Sequence, residues 1–251
     1  RTPIGRYGGG LSGVRPDDLA ALVVREAITR AGVSDDAIDE VILGAANQAG
    51  EDNRNIARMS LLLAGLPHSI PGLTVNRLCA SSLSAVGIAR QIIAAGDGDV
   101  LVAGGVESMT RAPWVIEKPS RAWAKPGASF DTSIGWRFTN PRFDAATTSS
   151  MPQTAELVAE RWGLTREELD EFALRSHQNA VRAVEQGLFA DEILAVGDVS
   201  VDEGPRATTS LEQLSGLRPV HGPAGLVTAG NSSSLNDGAA ALIVASGAYL
   251  E

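Results

Sequence analysis

The chain has 251 residues, 44% of them hydrophobic and 20% charged, which is ordinary globular composition with enough apolar residues for one large core or two modest ones. A formal net charge of −9 argues against nucleic acid as a partner, because phosphate binding draws on clustered Lys and Arg, although a helix N-terminus can still hold an anionic ligand. The single cysteine excludes an internal disulfide, and no 18-residue apolar run or charged leader stands out, so neither a membrane span nor a signal peptide is expected and a cytoplasmic location follows.

Arg1-Thr2-Pro3-Ile4-Gly5 has no initiator Met and reads as the turn after a strand lying outside the chain. The first helix runs from Pro16 to Gly32. Proline is tolerated in its first turn, Asp17 and Asp18 suit the positive end of its dipole, and Leu19, Leu22, Val23, Ala27 and Ile28 form a stripe. A short helical turn follows at Ser34 to Asp36, then a buried strand at 40–44. The next helix spans 53–64, with Ile56, Met59, Leu62 and Leu63 expected on its inner side. Residues 72–76 are extended, and 81–95 return to helical spacing through Leu83, Val86, Ile88, Ile92 and Ile93. Residues 100–105 form a glycine-bounded apolar run, the pattern of a strand buried on both faces. This alternation argues an α/β fold with a mostly parallel sheet between helices.

Residues from about 110 to 150 change character. Trp114, Trp123, Trp136, Phe130, Phe138 and Phe143 stand among prolines with little periodicity, which predicts an inserted region with its own small core rather than a linker. A helix at 153–162 precedes a longer one that opens on the capping box Thr165-Arg166-Glu167-Glu168 and ends at Gly187. Residues 193–201 alternate like an edge strand. A polar loop at 230–234 leads into a last buried strand at 240–245.

Cys79 is the residue with the most chemistry available to it. It lies between a strand and a helix, where backbone N–H groups and the positive end of the helix dipole favour a thiolate, and Ala80, Ser81 and Ser82 permit a sharp turn. A free cysteine is also among the most buried residue types and often only packs, so local chemistry leaves both readings open. The three histidines, His68, His177 and His221, sit in no motif that assigns them a partner and lack metal-ligand spacing, so no metal is expected. His177 falls mid-helix, where it reads as a surface residue, and His221 falls in a Gly/Pro loop. The glycines at 8–10 and 104–105 lack the spacing of a dinucleotide or phosphate loop. Asp237 and Glu107 are single carboxylates, and Glu107 suits a structural hydrogen-bond acceptor as well as a catalytic acid.

NRLCASSLSAV at 76–86 resembles the nucleophile segment of thiolases, coenzyme A-dependent acyltransferases that cleave or form 3-oxoacyl thioesters. Four further stretches agree in order: RTPIGRYGG at 1–9, AGGVESMTRAPW at 103–114, SMPQTAELVAERWGLTREELDEFALRSHQNA at 150–180 and VTAGNSSSLNDGAAALIVAS at 227–246. FDTSIGWRFTNP at 130–141, followed by Ser150 and Met151, looks like the loop of members acting on 3-oxoadipyl-CoA in aromatic-compound degradation, where acetoacetyl-CoA thiolases usually carry His before the Met. The position after the nucleophile is usually Gly or Ser but is Ala80, and Ser82 stands where Gly is usual.

The resemblance implies a thiolase half with βαβαβαββ order and a mostly parallel five-stranded sheet, at 1–110 and 226–251, plus an inserted loop domain at 111–225. It implies that Cys79 is the acyl-accepting nucleophile and that Met151 lines the acyl pocket. Ser233 would lie beside the pantetheine of coenzyme A. His221 and Arg137 are further substrate-contact candidates, Arg137 for a distal carboxylate, while Asn76, Ser81 and Asn231 would support the site. Coenzyme A would be a substrate, with no other cofactor. In the family a later histidine activates the thiol and a second cysteine moves a proton. Neither matches a residue here, so this chain is expected to be inactive alone, to work with a C-terminal thiolase domain, and to form homodimers or homotetramers. The rival expectations are a non-catalytic thiolase-like module or partner subunit and an acetoacetyl-CoA thiolase. A decarboxylating condensing enzyme is a third, against which VTAGNSSSLNDGAAA argues.

Overall fold

A computed structural model of the chain describes residues 1–48 and 50–251. In chain order it contains β1 (Gly5–Arg6), α1 (Pro16–Ala31), β2 (Glu40–Gly44), α2 (Ile56–Leu63), β3 (Gly72–Val75), α3 (Ser81–Ala95), β4 (Val100–Ser108), β5 (Trp114–Ile116), β6 (Ser129–Asp131), α4 (Met151–Trp162), α5 (Arg166–Glu185), α6 (Leu211–Ser215), β7 (Asn236–Ala245) and α7 (Gly247–Leu250). The chain divides into two compact units. The first comprises Arg1–Pro113, Glu192–Glu203 and Asn236–Glu251, and the second Trp114–Asp191 and Gly204–Leu235.

The first unit is a five-stranded sheet in the order β1-β7-β4-β2-β3. β2 pairs in parallel with both β3 and β4, while β7 runs antiparallel to β4 and to β1, so four of the five strands point the same way. Strand alternation divides the core into two layers. Val41, Leu43, Val102 and Val106 join α1 and α2 through Leu19, Val23, Val24, Ala57 and Leu61 on one face. Ile42, Leu101 and Ala103 meet Ala85 and Ala89 of α3 on the other. Strands β2 and β4 are thus covered on both faces, as their uninterrupted apolar runs require. Helix α1 ends where Gly32, at φ 65°, turns its N–H back onto Ile28 and Thr29.

The first residues join the edge of the sheet: Gly5 and Arg6 pair with Asp237 and Asn236, and the Thr2 N–H donates to the Ala239 carbonyl. Three expectations are corrected. Residues 193–201 form no strand. Val196 and Val199 bridge across a tight turn at Gly197, and the segment is held by charge: Arg1 pairs with Glu192 and Asp202, and Glu203 accepts from the Arg6 and Gly10 N–H groups. The segment 192–203, which the sequence reading placed in the insertion, therefore packs with the first unit. Helix α2 begins at Ile56, after Asn53 and Arg54 in left-handed conformations, and buries Ile56, Ala57, Ser60 and Leu61 while Met59, Leu62 and Leu63 are exposed. Finally, Leu78–Ala95 is an apolar 18-residue stretch of mean hydropathy 1.4, long and apolar enough by composition to cross a membrane. Its inner face, Ala85 and Ala89, packs on the sheet.

The second unit holds the β5–β6 hairpin and helices α4, α5 and α6. Both capping boxes are formed, Ser150 with Gln153 and Thr165 with Glu168. The expected aromatic core is absent: Trp114, Trp123, Trp136, Phe138 and Phe143 are all exposed, and Phe130 meets Phe138 edge-on at 5.0 Å. The buried residues are few and mostly small or polar, among them Ala159, Asp170, Leu214, Val227 and Thr228.

Two glycines let α3 start against the sheet. A Cβ on Gly44 would lie 2.4 Å from the Ser81 carbonyl carbon and the Ser82 nitrogen, and one on Gly105 would lie 2.7 Å from the Gly44 oxygen and 2.0 Å from Ser82 Oγ. Gly44→Ala forces backbone against backbone, and we expect a loss of about 2 kcal/mol or more of stability, measured by denaturant unfolding. An unchanged midpoint would show that α3 can shift away at no cost.

Candidate active site

Cys79 is exposed, one residue before the N-cap position of α3. A thiol that only filled space would be covered, so the packing reading fails for this chain. The N-cap residue Ala80 supplies no side-chain acceptor, leaving the first turn of α3 without a side-chain cap.

The turn carrying Cys79 is tied on both sides. Ser81, 3% exposed, accepts from the Arg77 N–H at 2.8 Å and donates its hydroxyl to the Leu78 carbonyl at 2.6 Å. Asn76 Oδ1 accepts from the Leu78 N–H at 2.9 Å, and its amide donates to the Ala46 carbonyl at 2.9 Å. Leu78 is held between these bonds at φ 49°, a conformation non-glycine residues rarely adopt. The Ala46 peptide is itself fixed, because Glu107 at the end of β4 accepts from the Ala46 and Asn47 N–H groups at 2.8 and 3.3 Å. Glu107 therefore acts as a structural acceptor one layer behind the Cys79 turn. Asp237 is also structural: it is buried and accepts from Ser108 Oγ and the Thr110 N–H. The sequence reading had no signal for the Glu107–Ala46–Asn76 relay, since its members lie 30 and 61 residues apart.

Beside that relay, Asn47, Asp52, Glu107 and Arg111 line a small concavity. Burial pushes the Asp52 carboxyl above its ordinary range, while the hydrogen bond from Arg111 holds Glu51 below. Among the described residues no group of three or more His, Cys, Asp or Glu side chains is arranged to hold a metal.

The remaining sequence-identified residues lie in the second unit. Met151 opens α4 with its side chain 73% exposed, and Arg137 is half-buried in the β6–α4 segment. His221 is exposed in its loop. His177 is half-buried on α5, where its Nδ1 accepts from the Arg206 N–H. Burial, and then the Arg206 charge, lower its pKa, which keeps the acceptor nitrogen unprotonated.

Ser233 is exposed at the end of the 226–233 loop, which is held from behind by two carboxylates. Glu156 on α4 accepts from the Leu226 and Val227 N–H groups, both at 2.9 Å or less. Asp170 on α5, 2% exposed, accepts from Asn231 Nδ2 at 2.9 Å and from Arg166 Nε at 2.8 Å. Asn231 also accepts from the Thr228 N–H and donates to the Leu226 carbonyl, so one amide closes the loop on itself and anchors it to the helix. Neither Asp170 nor Glu156 was singled out from the sequence. A capping box flags the helix start, but nothing in the spacing tells that position 170 faces inward.

The first unit thus carries an accessible thiol on a braced turn, and the second unit carries a braced, hydroxyl-rich loop. Residues 1–248 match the family model described as the N-terminal domain of thiolase. A protein named beta-ketoadipyl-CoA thiolase from Escherichia coli is 55% identical over 98% of this chain and 64% of its own length. A crystal structure of Bacillus anthracis acetyl-CoA acetyltransferase superposes with a TM-score of 0.88 at 38% identity, over 99% of this chain and 64% of that one. Human mitochondrial 3-ketoacyl-CoA thiolase, solved in complex with CoA, superposes with a TM-score of 0.88 at 34% identity, over 99% and 63%. The chain thus spans just under two thirds of the length of these relatives.

Two substitutions test the bracing. Asp170→Asn leaves Arg166 without its counter-charge and is expected to cost about 3 kcal/mol in denaturant unfolding. Asn76→Ala removes both bonds of an exposed side chain, costs about 1 kcal/mol, and changes the rate at which iodoacetamide alkylates Cys79. An unaltered alkylation rate would separate Asn76 from the thiol.

Proposed function

The chain belongs to the thiolase family, and on that footing we propose that it is the nucleophile-bearing part of an acyl-CoA thiolase acting on 3-oxoadipyl-CoA. The observation that carries the reading is Cys79: an uncovered thiol at the start of α3, on a turn fixed by Asn76 and Ser81. The substrate is supported by the name of the 55% identical relative, set against the lower identity, 38%, to an acetyl-CoA acetyltransferase.

In this reading the Cys79 thiolate attacks the C3 carbonyl carbon of the 3-oxoacyl-CoA. The C2–C3 bond breaks, its electron pair passes to the departing acetyl-CoA enolate, and that carbon takes up a proton. The acyl group stays on sulfur as a thioester. The thiolate of coenzyme A then attacks the thioester carbonyl, the bond to Cys79 breaks, and a shortened acyl-CoA leaves. From 3-oxoadipyl-CoA the products are acetyl-CoA and succinyl-CoA. The positive end of the α3 dipole favours the charged sulfur. The proton steps fall to the family's later histidine and second cysteine, which match no residue of this chain. Met151 is assigned to the acyl pocket, Ser233 to coenzyme A and His221 to substrate contact, with coenzyme A as a substrate and no other cofactor. We further propose a cytoplasmic homodimer or homotetramer completed by a C-terminal thiolase domain.

The test is thiolysis by the full-length enzyme. The rate with 3-oxoadipyl-CoA is expected to exceed that with acetoacetyl-CoA, and Cys79→Ser to lower turnover at least about 10³-fold. Comparable rates on the two substrates would overturn the substrate assignment. Residual turnover near the wild-type level in Cys79→Ser would overturn the mechanism.

A further inference from the structure

We propose that Arg137 is the residue that recognises the distal carboxylate of the acyl chain, and so makes the site selective for dicarboxylic over neutral 3-oxoacyl thioesters. The inference rests on the acyl-CoA reading above and adds the group that sets its chain preference.

Among the lysines and arginines of the second unit only Arg166 and Arg137 are half-buried; the others are exposed. Arg166 is fully engaged, with Asp170 and with the carbonyls of Leu214 and Leu217. Arg137 makes no ion pair with any described residue. The acids nearest to it in sequence are used elsewhere: Asp131 accepts from the Ser133 N–H and hydroxyl, and Asp144 accepts from the Ala146 N–H. The fold therefore partly covers a guanidinium and spends its neighbouring carboxylates on their own turns. That leaves the five-donor fork for a carboxylate from outside.

Arg137 lies in the segment that leads to Met151, the residue assigned to the acyl pocket. On either side of Trp136 and Arg137 the backbone is left-handed, with φ of 79° at Gly135 and 52° at Phe138. Phe138 rests edge-on against Phe130, and Trp136 Nε1 donates to the Ser149 carbonyl at 3.3 Å. Ser149 immediately precedes the N-cap Ser150, after which Met151 opens α4. Arg137 thus lies in sequence between Trp136, tied to the residue before the N-cap of the helix that presents Met151, and Phe138, which rests on Phe130. Ile134, Trp136, Phe138 and Met151 are all more than half exposed, offering apolar surface for methylenes next to one cation. A chain of apolar carbons ending in a carboxylate matches that sequence of surfaces.

The experiment compares kcat/KM of the full-length enzyme for 3-oxoadipyl-CoA and for 3-oxohexanoyl-CoA, in which a methyl group replaces the carboxylate. Arg137→Gln is expected to lower the value for 3-oxoadipyl-CoA by about ten- to a hundredfold, mainly through KM, the size of a lost charged hydrogen bond. The value for 3-oxohexanoyl-CoA should stay within about threefold of wild type, and Arg137→Lys should fall between, since a point charge lacks the fork. Equal losses on both substrates, or a preference that survives in Arg137→Gln, would overturn the role of Arg137 alone. A wild-type enzyme indifferent to the carboxylate would overturn the dicarboxylic reading itself.

Discussion

The whole first unit depends on how closely the start of α3 approaches the sheet. The α3 backbone at Ser81 and Ser82 comes against Gly44, and the Ser82 side chain against Gly105, where there is no room for another side chain. That contact fixes where β3 must turn, and the turn is where Cys79 stands. Ser82 sharpens the constraint, because its hydroxyl occupies the space that a methyl group on Gly105 would need. The thiol is exposed because the residues around it carry the packing: Ser81 inward, Ala85 and Ala89 on the sheet, Asn76 across to the neighbouring loop.

The second unit solves the same problem by a different means. With its large aromatics at the surface, it has little apolar volume to lock the 226–233 loop in place. Buried or partly covered carboxylates do that work instead, each accepting from groups that would otherwise be orphaned. A hydrogen-bonded network is directional where a hydrophobic contact is not, so it fixes the course of the loop.

Much of this was legible in the sequence. The boundaries of α1, β2 and α3, the capping box at Thr165 and the turn before α3 follow from local rules, whereas the box at Ser150, which starts α4 two residues ahead of the expected position, was missed. The faces of α2 and α3 were not legible. Met59, Leu62 and Leu63, expected on the inner side of α2, are exposed, while Ile56, Ala57, Ser60 and Leu61 are buried. On α3 the small residues Ser81, Ala85 and Ala89 are the buried ones, with Val86, Ile88, Ile92 and Ile93 partly covered around them. The aromatic insertion misled in the same way, since large apolar residues were taken as core. The residues of the nucleophile turn could be named in advance, whereas Glu107, Asp170 and Glu156 could not, because their roles are defined by partners dozens of residues away.

The doubly anchored 226–233 loop has a thermodynamic consequence. A loop that orders only when its ligand arrives charges that ordering entropy against affinity. Here the Leu226 and Val227 N–H groups and Asn231 are bound to α4 and α5 by the fold itself. That ordering is completed during folding, so any ligand meeting this loop would not have to supply it.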